Sequence, residues 1–493
     1  MKQRVAVVVA EKAEYPESSP YHPAAAFPEY PFGEAVSVSH NYVYPALRSL
    51  FDQLGYDKAN FGTKDWNPLG WLVEPGMTVV LKPNFVRSRH YENKDPFAMI
   101  THPSVLRAIA DYIWIALKGN GRIVIADAPQ YDGNWQELMD LTGLETVGEF
   151  FNSQRPDSFQ IIDLRNYWSR GKHFPSMRID LDGDPQGTLT VNLGKDSNVK
   201  DVNDPNRLYG AVYHRQETVQ NHTGDKQMYE IAGTVMNADV FISVPKLKTH
   251  KKVGVTMNIK GLVGVCTNKN LIVHYSLGSK NEGGDQYPPG HFTPMEERLI
   301  KTERWMYDTF LSRRSVPLEY VHRSIYWLHG TFLKPLGIKV EKGKRLLDAG
   351  NWYGNDSAWR MCVDLIKLIV FADKKGVLHK TPQRRLFSII DGIIGGENKG
   401  PLEPDPNASG VLIAGDNFLA ADIVGARLMG FDPMKIKMFS HLLSEGDWDY
   451  GLKDLSEIEV LSTSTEISEC LNDTTARFFD YRPFPGWIGH IEI

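Results

Sequence analysis

Only three cysteines occur in the 493 residues, Cys266, Cys362 and Cys470, and they form no CxxC pair. Their scarcity excludes a disulfide framework and leaves no thiolate set for zinc or an iron–sulfur cluster. Three reduced thiols suit a cytoplasmic protein. Long apolar runs are missing too. None approaches the roughly 18 residues of a membrane span. The N-terminal run covers residues 5–10 only and meets Glu11-Lys12, too short for the core of a signal peptide. The reading is therefore a soluble, cytoplasmic protein. An excess of one charge is also absent, since 55 Lys/Arg stand against 60 Asp/Glu for a net charge of -5. No global field recruits nucleic acid, so any anion site must be local. The remaining composition, 42% hydrophobic and 23% charged, is that of an ordinary folded chain. At roughly 150 residues per domain the length suits two or three folding units.

What is present is an alternation of two periodicities. Residues 5–10 are all apolar, mostly β-branched, the pattern of a strand buried on both faces. Residues 13–33, crowded with Pro, Tyr, Ser and Phe, read as an ordered loop, and 40–54 as a helix. A strand at 77–81 runs into Lys82-Pro83-Asn84. Thr101 or His102 caps a helix with Pro103 in its first turn, spanning 104–117. A strand at 122–126 then ends at Asp127. Strand, helix and strand at this spacing read as parallel α/β. Further strands are expected at 238–244, 386–390 and 411–414, and helices at 295–311, 318–333, 358–371 and 417–429. The predicted architecture is an α/β fold, a mostly parallel sheet with helices on both faces. A discontinuous core, 1–274 plus 380–440, is expected to carry a largely helical insertion at 275–379. Residues 441–493 are expected as a C-terminal tail packed on that core.

In open α/β sheets, ligands collect where strands end at the carboxyl edge. Four polar clusters follow predicted strands: Lys82-Pro83-Asn84, Asp127, residues 245–264, and the glycine-rich 391–400. The densest carries Lys246, Lys248, His250, Lys251, Lys252 and Lys260, with Thr256 and Asn258 between. Crowded ammoniums repel, which lowers their pKa and exposes a neutral amine nucleophile. Left protonated, the same groups hold a phosphate or carboxylate. His250 adds a proton shuttle near neutral pH. The plainer alternative is a solvated basic loop. Two details weigh against it. Apolar runs flank the segment, and Val253, Val255, Met257 and Ile259 alternate with Gly254, Thr256, Asn258 and Lys260. An extended chain would turn that polar set to one side. Residues 391–400, with Asp391, Gly395 and Gly396, are expected to form either an amide cradle for an anion or a tight turn needing glycine. No P-loop lysine follows. Asp239, Asp416 and Asp422 read as helix or turn caps, leaving Asp127 and Asp391 as the acidic candidates.

The run from Ala238 through Pro245, Lys246, Lys248 and His250, continued by Gly254 to Gly261, closely resembles the family numbered 362 among domains of unknown function. Lys82-Pro83-Asn84, Thr101-His102-Pro103, Asp391-Gly392 with Gly395-Gly396, and Ala421-Asp422 through Asp432-Pro433 fit its pattern as well. The resemblance covers residues 77–435. The segment from Asn351 to Arg360 is similar to one in longer members, which resemblance places among surface-polysaccharide genes. Many relatives carry an appended ferredoxin-like module with cysteine ligands. This chain has none, so an iron–sulfur role is not implied. A more distant similarity is to the N-terminal domain of lactate racemase-type enzymes. There a lysine ten residues after a histidine carries a nickel pincer nucleotide covalently. His250 and Lys260 are likewise ten apart, and His274 stands where a further histidine is expected. The Gly-Gly pair that precedes the lysine in that family is absent here.

Residues 296–345 hold eleven Lys/Arg against six Asp/Glu, interleaved with Trp305, Tyr307, Phe310, Tyr320, Tyr326, Trp327 and Phe332. That mixture suits a membrane surface or a lipid-linked anionic substrate. A helical pair packed on the sheet explains it equally. The leading expectation is an enzyme acting on a small phosphorylated or carboxylated substrate, of the sugar-phosphate or lipid-linked glycan kind. Lys82, Lys246 and Lys248 would hold the anion, Lys260 would act as amine or electrostatic stabiliser, and His250 as acid/base. Thr256 and Asn258 would orient the substrate, with Asn84, Asp127, Asp391, Gly395 and Gly396 completing the surface. The alternative is a non-catalytic anion-binding or assembly protein docking polysaccharide machinery at the membrane through 296–345. Charge reversal at Arg313 and Arg314 would test it. A third reading is a racemase- or epimerase-like enzyme with a lysine-bound metal cofactor. The residues themselves suggest no metal site, and the reaction, the cofactor and the oligomeric state stay open.

Overall fold

Alternating apolar residues place the strands between two cores. In β1 (Gln3–Val9), Val5 and Val7 enter one core while Ala6 and Val8 enter the other. The same division holds in β2 (Thr78–Pro83), β3 (Arg122–Asp127), β4 (Phe159–Asp163) and β5 (Val240–Val244). Val80, Val124 and Phe241 serve one core; Val79, Ile123 and Ile242 serve the other. A strand with apolar side chains on both faces needs cover on both sides, and the helices supply it. The computed structural model describes residues 2–169, 178–202, 204–212, 214–312, 315–341, 343–473 and 475–493. Arg313 and Arg314 lie outside the described residues.

The remaining strands of the main sheet are β6 (Lys246–His250), β7 (Gly254–Thr256), β8 (Arg385–Glu397), β9 (Asp405–Asn407), β10 (Val411–Gly415) and β11 (Ile458–Leu461). Its spine runs β11-β1-β10-β8-β5-β2-β3-β4. Along it β10 is antiparallel to both neighbours, β1 and β8. The other neighbours, β11–β1, β8–β5, β5–β2, β2–β3 and β3–β4, are parallel. The sheet is mixed and mostly parallel, as expected of an α/β fold.

Helices α1 (Val43–Leu54) and α2 (Pro103–Leu117) cover one face. The start of α2 is set by His102, whose Nδ1 accepts the Ser104 N–H at 3.1 Å, with Pro103 pre-shaped for the first turn. On the outside lie α3 (Pro294–Met306) and α4 (Val316–Leu328). The opposite face is covered by α5 (Ala358–Phe371) and α6 (Phe418–Leu428). Every residue of α5 except Arg360 is buried, so this helix belongs to the same core as β1 and β5. The C-terminal segment adds a strand to the sheet, with Gln3 of β1 opposite Ile458 of β11.

Two local expectations are overturned. Residues 391–400 are not a glycine loop, because β8 continues to Glu397 and pairs with β9, Gly395 opposite Asn407 and Gly396 opposite Pro406. A Cβ at Gly395 would collide with the Tyr481 hydroxyl, and one at Gly396 with the Ala98 carbonyl. These glycines admit close neighbours within a paired strand. The extended alternation after Val253 also stops early. β7 ends at Thr256, and Asn258–Gly261 is a helical turn. The carboxylate of Asp422 on α6 closes that turn by accepting the Asn258 and Ile259 N–H groups, each at 2.9 Å.

Candidate functional site

Pro245 ends β5, and a register shift in the β6–β8 pairing separates Lys246 from Lys248. Such a bulge re-aims a side chain, and here it gives the two lysines different fates. Lys246 is fully buried and donates to Asp391 Oδ2 at 2.7 Å, Tyr15 Oη at 2.7 Å and the Ile394 carbonyl at 3.2 Å. Tyr15 in turn donates to Asp391 Oδ1 at 2.6 Å and stacks on His102. Asp391 also accepts the His102 N–H at 2.9 Å. This closed ion pair lines no part of the pocket formed by Lys248. Lys246 and Asp391, expected as substrate ligands, are bonded to each other outside this pocket's lining, and Gly395 and Gly396 lie outside it as well.

Lys248 faces Thr256 across the β6–β7 hairpin, and His250 faces Gly254. Lys248, His250 and Thr256 line a cavity of about 400 Å³. Lys82, Asn84 and Asp127 reach it from the carboxyl ends of β2 and β3, and Lys260 from the turn after β7. That is the edge where α/β sheets gather ligands. Lys82 and Asp127 form an ion pair at 2.9 Å, and Lys82 also donates to the Pro83 carbonyl and to Asn84 Oδ1. Asp127 Oδ2 accepts the Phe85 N–H at 2.8 Å. Gly264 packs directly on this pair, where any Cβ would strike both charged groups. Asn84 Nδ2 and Thr256 Oγ1 are buried in the pocket lining without a partner among the described residues. Such atoms are costly unless a ligand or water meets them.

Asn258, expected beside Thr256, is not in the lining. Its Nδ2 donates to Asp422 Oδ1 at 2.7 Å and its Oδ1 accepts from Ser388 Oγ at 2.9 Å. The residue holds the turn that presents Lys260.

Reading along the chain missed Lys269 and Arg304, and found His274 only through the racemase resemblance; all three line the cavity. Lys269 sits in a short 3-10 turn with no periodic signal, and Arg304 belongs to α3, which is remote in sequence. Asp422 was expected to be a cap; it does cap, but on the turn that carries Lys260.

Four buried lysines of the pocket, Lys248, Lys252, Lys260 and Lys269, have no carboxylate partner among the described residues. Lys248 donates to the Met99 carbonyl at 2.5 Å, Lys252 to the Ala349 carbonyl and Asn351 Oδ1, and Lys269 to the Ala128 and Val263 carbonyls. Lys260 makes no such bond among the described residues. Burial lowers the pKa of all four, and neighbouring ammoniums lower Lys248 and Lys252 further. Burial, reinforced by Lys260, also holds His250 and His274 well below the usual histidine range, so both rings are neutral near pH 7. Their tautomers differ. His250 Nδ1 accepts the Lys252 N–H at 3.0 Å, which puts the ring proton on Nε2. His274 Nδ1 lies 3.0 Å from the Ile272 carbonyl and must donate, leaving its Nε2 bare.

The Lys269 ammonium is pushed down to about 8 by burial. A folded pKa below the ordinary 10.5 means that burying this charge costs stability in full below about pH 8, and the cost fades as pH rises towards 10.5. Resistance to urea should therefore increase from pH 8 to 9.5, and Lys269→Met should flatten the rise. An unchanged slope in the variant would show that Lys269 is not its source.

A lysine-bound nickel nucleotide does not fit these residues. No group of three or more His, Cys, Asp or Glu able to hold a metal occurs among the described residues. The turn before Lys260 is packed on Asp422, and the ammoniums around it repel a dication.

No curated protein matches the chain. Among solved structures, a Thermotoga maritima protein aligns with 9% identity and a TM-score of 0.31, over 76% of this chain. The chain covers 56% of that protein's length. A family model described as a domain of unknown function, DUF362, matches residues 79–181 and 191–427, which hold the pocket lysines, both pocket histidines and Asp422, and the chain belongs to that family.

Proposed function

We propose that the chain is an enzyme acting on a small phosphorylated or carboxylated substrate bound in this pocket. The observation that carries the reading is the set of four buried lysines without carboxylate partners. Their charge is costly in the empty pocket, and an anion entering it restores their pKa and removes the cost. Lys248, Lys252, Lys260 and Lys269 hold the anionic group, and Lys260, without a hydrogen bond among the described residues, also stabilises charge that develops next to it. The bare Nε2 of His274 takes a proton from the substrate and the Nε2–H of His250 donates one, two neutral histidines in complementary states. Lys82, held by Asp127, contributes positive potential, and Thr256 and Asn84 offer unpartnered polar atoms to substrate hydroxyls. A cavity of about 400 Å³ suits a molecule of sugar-phosphate size.

The test begins with inorganic phosphate, titrated by calorimetry. A panel of sugar phosphates and hydroxy acids in D2O follows, with proton NMR reading deuterium uptake or product. The expected pattern is phosphate binding that survives His274→Gln, together with loss of exchange or turnover in that variant. Absence of phosphate binding would sink the reading. Binding with no chemistry on any member of the panel would favour a non-catalytic anion-binding protein instead.

A further inference from the structure

We propose that the outer face of α4 and the turn that follows it docks on an anionic lipid bilayer. The helical path runs from Val316 through Leu333, and within Val316–Leu328 only Glu319 and His322 are buried. Tyr320 and Trp327 are each 63% exposed, Phe332 58% and Leu336 75%, with Leu328 and Leu333 exposed between them. Elsewhere the large exposed apolar residues are scattered along the chain, as Val38, Trp71 and Val377 are. Single exposures are ordinary, whereas a contiguous set of this kind marks a surface that meets something apolar.

Charge selects the occupant. Between residues 316 and 339 the basic residues are Arg323, Lys334 and Lys339, all exposed, and the sole acid, Glu319, is buried. This local positive surface sits on a chain of net charge -5. A second copy docked through the same face would bring like charges together across a two-fold axis. Anionic headgroups complement them instead, with Trp, Tyr, Phe and Leu entering the interface. No helix among the described residues is long and apolar enough to cross a membrane. The contact is therefore with one leaflet.

The full chain should be sedimented with phosphatidylcholine vesicles prepared with and without phosphatidylglycerol. Wild type should partition onto the anionic vesicles about tenfold more strongly, as expected for several basic residues near a charged surface. Combined Trp327→Ser, Phe332→Ser and Leu336→Ser should abolish that partition while leaving circular dichroism and phosphate binding unchanged. Lys334→Glu with Lys339→Glu alters only exposed charges, so it decides the matter should the serine variant fold poorly; it should lose the preference for phosphatidylglycerol. Failure of wild type to bind either vesicle at low salt overturns the proposal. So does self-association that the serine substitutions remove without any vesicle binding, which would assign the face to a second copy of the chain.

Discussion

Lys260→Met is expected to weaken inorganic phosphate binding by about 10- to 100-fold, the worth of ~1.5–3 kcal/mol for a hydrogen bond to a charged group. The same variant is expected to unfold at a higher temperature than wild type when no anion is present. Both effects come from one fact: Lys260 is buried, its pKa is lowered by that burial, and no carboxylate of the described chain pairs with it. Methionine has similar length and no charge to desolvate, so the empty protein gains what the lysine cost. Opposite signs for stability and binding separate a ligand-facing residue from a scaffold residue, for which both fall together. Titration calorimetry and a thermal scan without phosphate give the two numbers. Unchanged phosphate affinity would remove Lys260 from the site.

Asp422→Ala should lower stability by roughly 3 kcal/mol or more, because it strips three hydrogen bonds to a buried carboxyl group and leaves their donors unmet, at ~1–3 kcal/mol for each buried group left unsatisfied. The donors are the Asn258 N–H, the Asn258 Nδ2 and the Ile259 N–H, at 2.9, 2.7 and 2.9 Å. Phosphate affinity should fall with it, since the turn that presents Lys260 loses its anchor. The pH dependence gives a second handle. Burial pushes the Asp422 carboxyl up to about 7 from its ordinary 3.8. A raised folded pKa means that the stabilisation is complete below pH 3.8 and is lost as pH rises through about 7. Urea midpoints of wild type and Asp422→Asn should therefore differ more at pH 5 than at pH 8. An equal difference at both values would show that Asp422 does not titrate between them.

Helix α5 occupies residues 358–371, the range expected from the sequence, and α2 begins at the capping residue beside Pro103. Such features are legible because caps and periodicity act over a few neighbours. Of the expected site residues, Lys82, Asn84, Asp127, Lys248, His250, Thr256 and Lys260 come together in one cavity. Lys246, Asn258, Asp391, Gly395 and Gly396 do not. Lys246 and Lys248 are equivalent by spacing, and only the shifted register against β8 tells them apart. The glycines of β8 read as a loop because glycine usually marks one; the Tyr481 hydroxyl that requires Gly395 lies far along the chain.

By itself the sequence determined the order of strands and helices, the α/β character of the sheet, and the lysine-rich segment in which the pocket would be built. Those follow from interactions among near neighbours. Which lysines are neutralised and which stay unpaired was decided only by the tertiary structure. Lys246 meets Asp391 across 145 residues, and Asn258 meets Asp422 across 164. Burial and charge pairing depend on such distant partners, and these set the pKa of each ammonium.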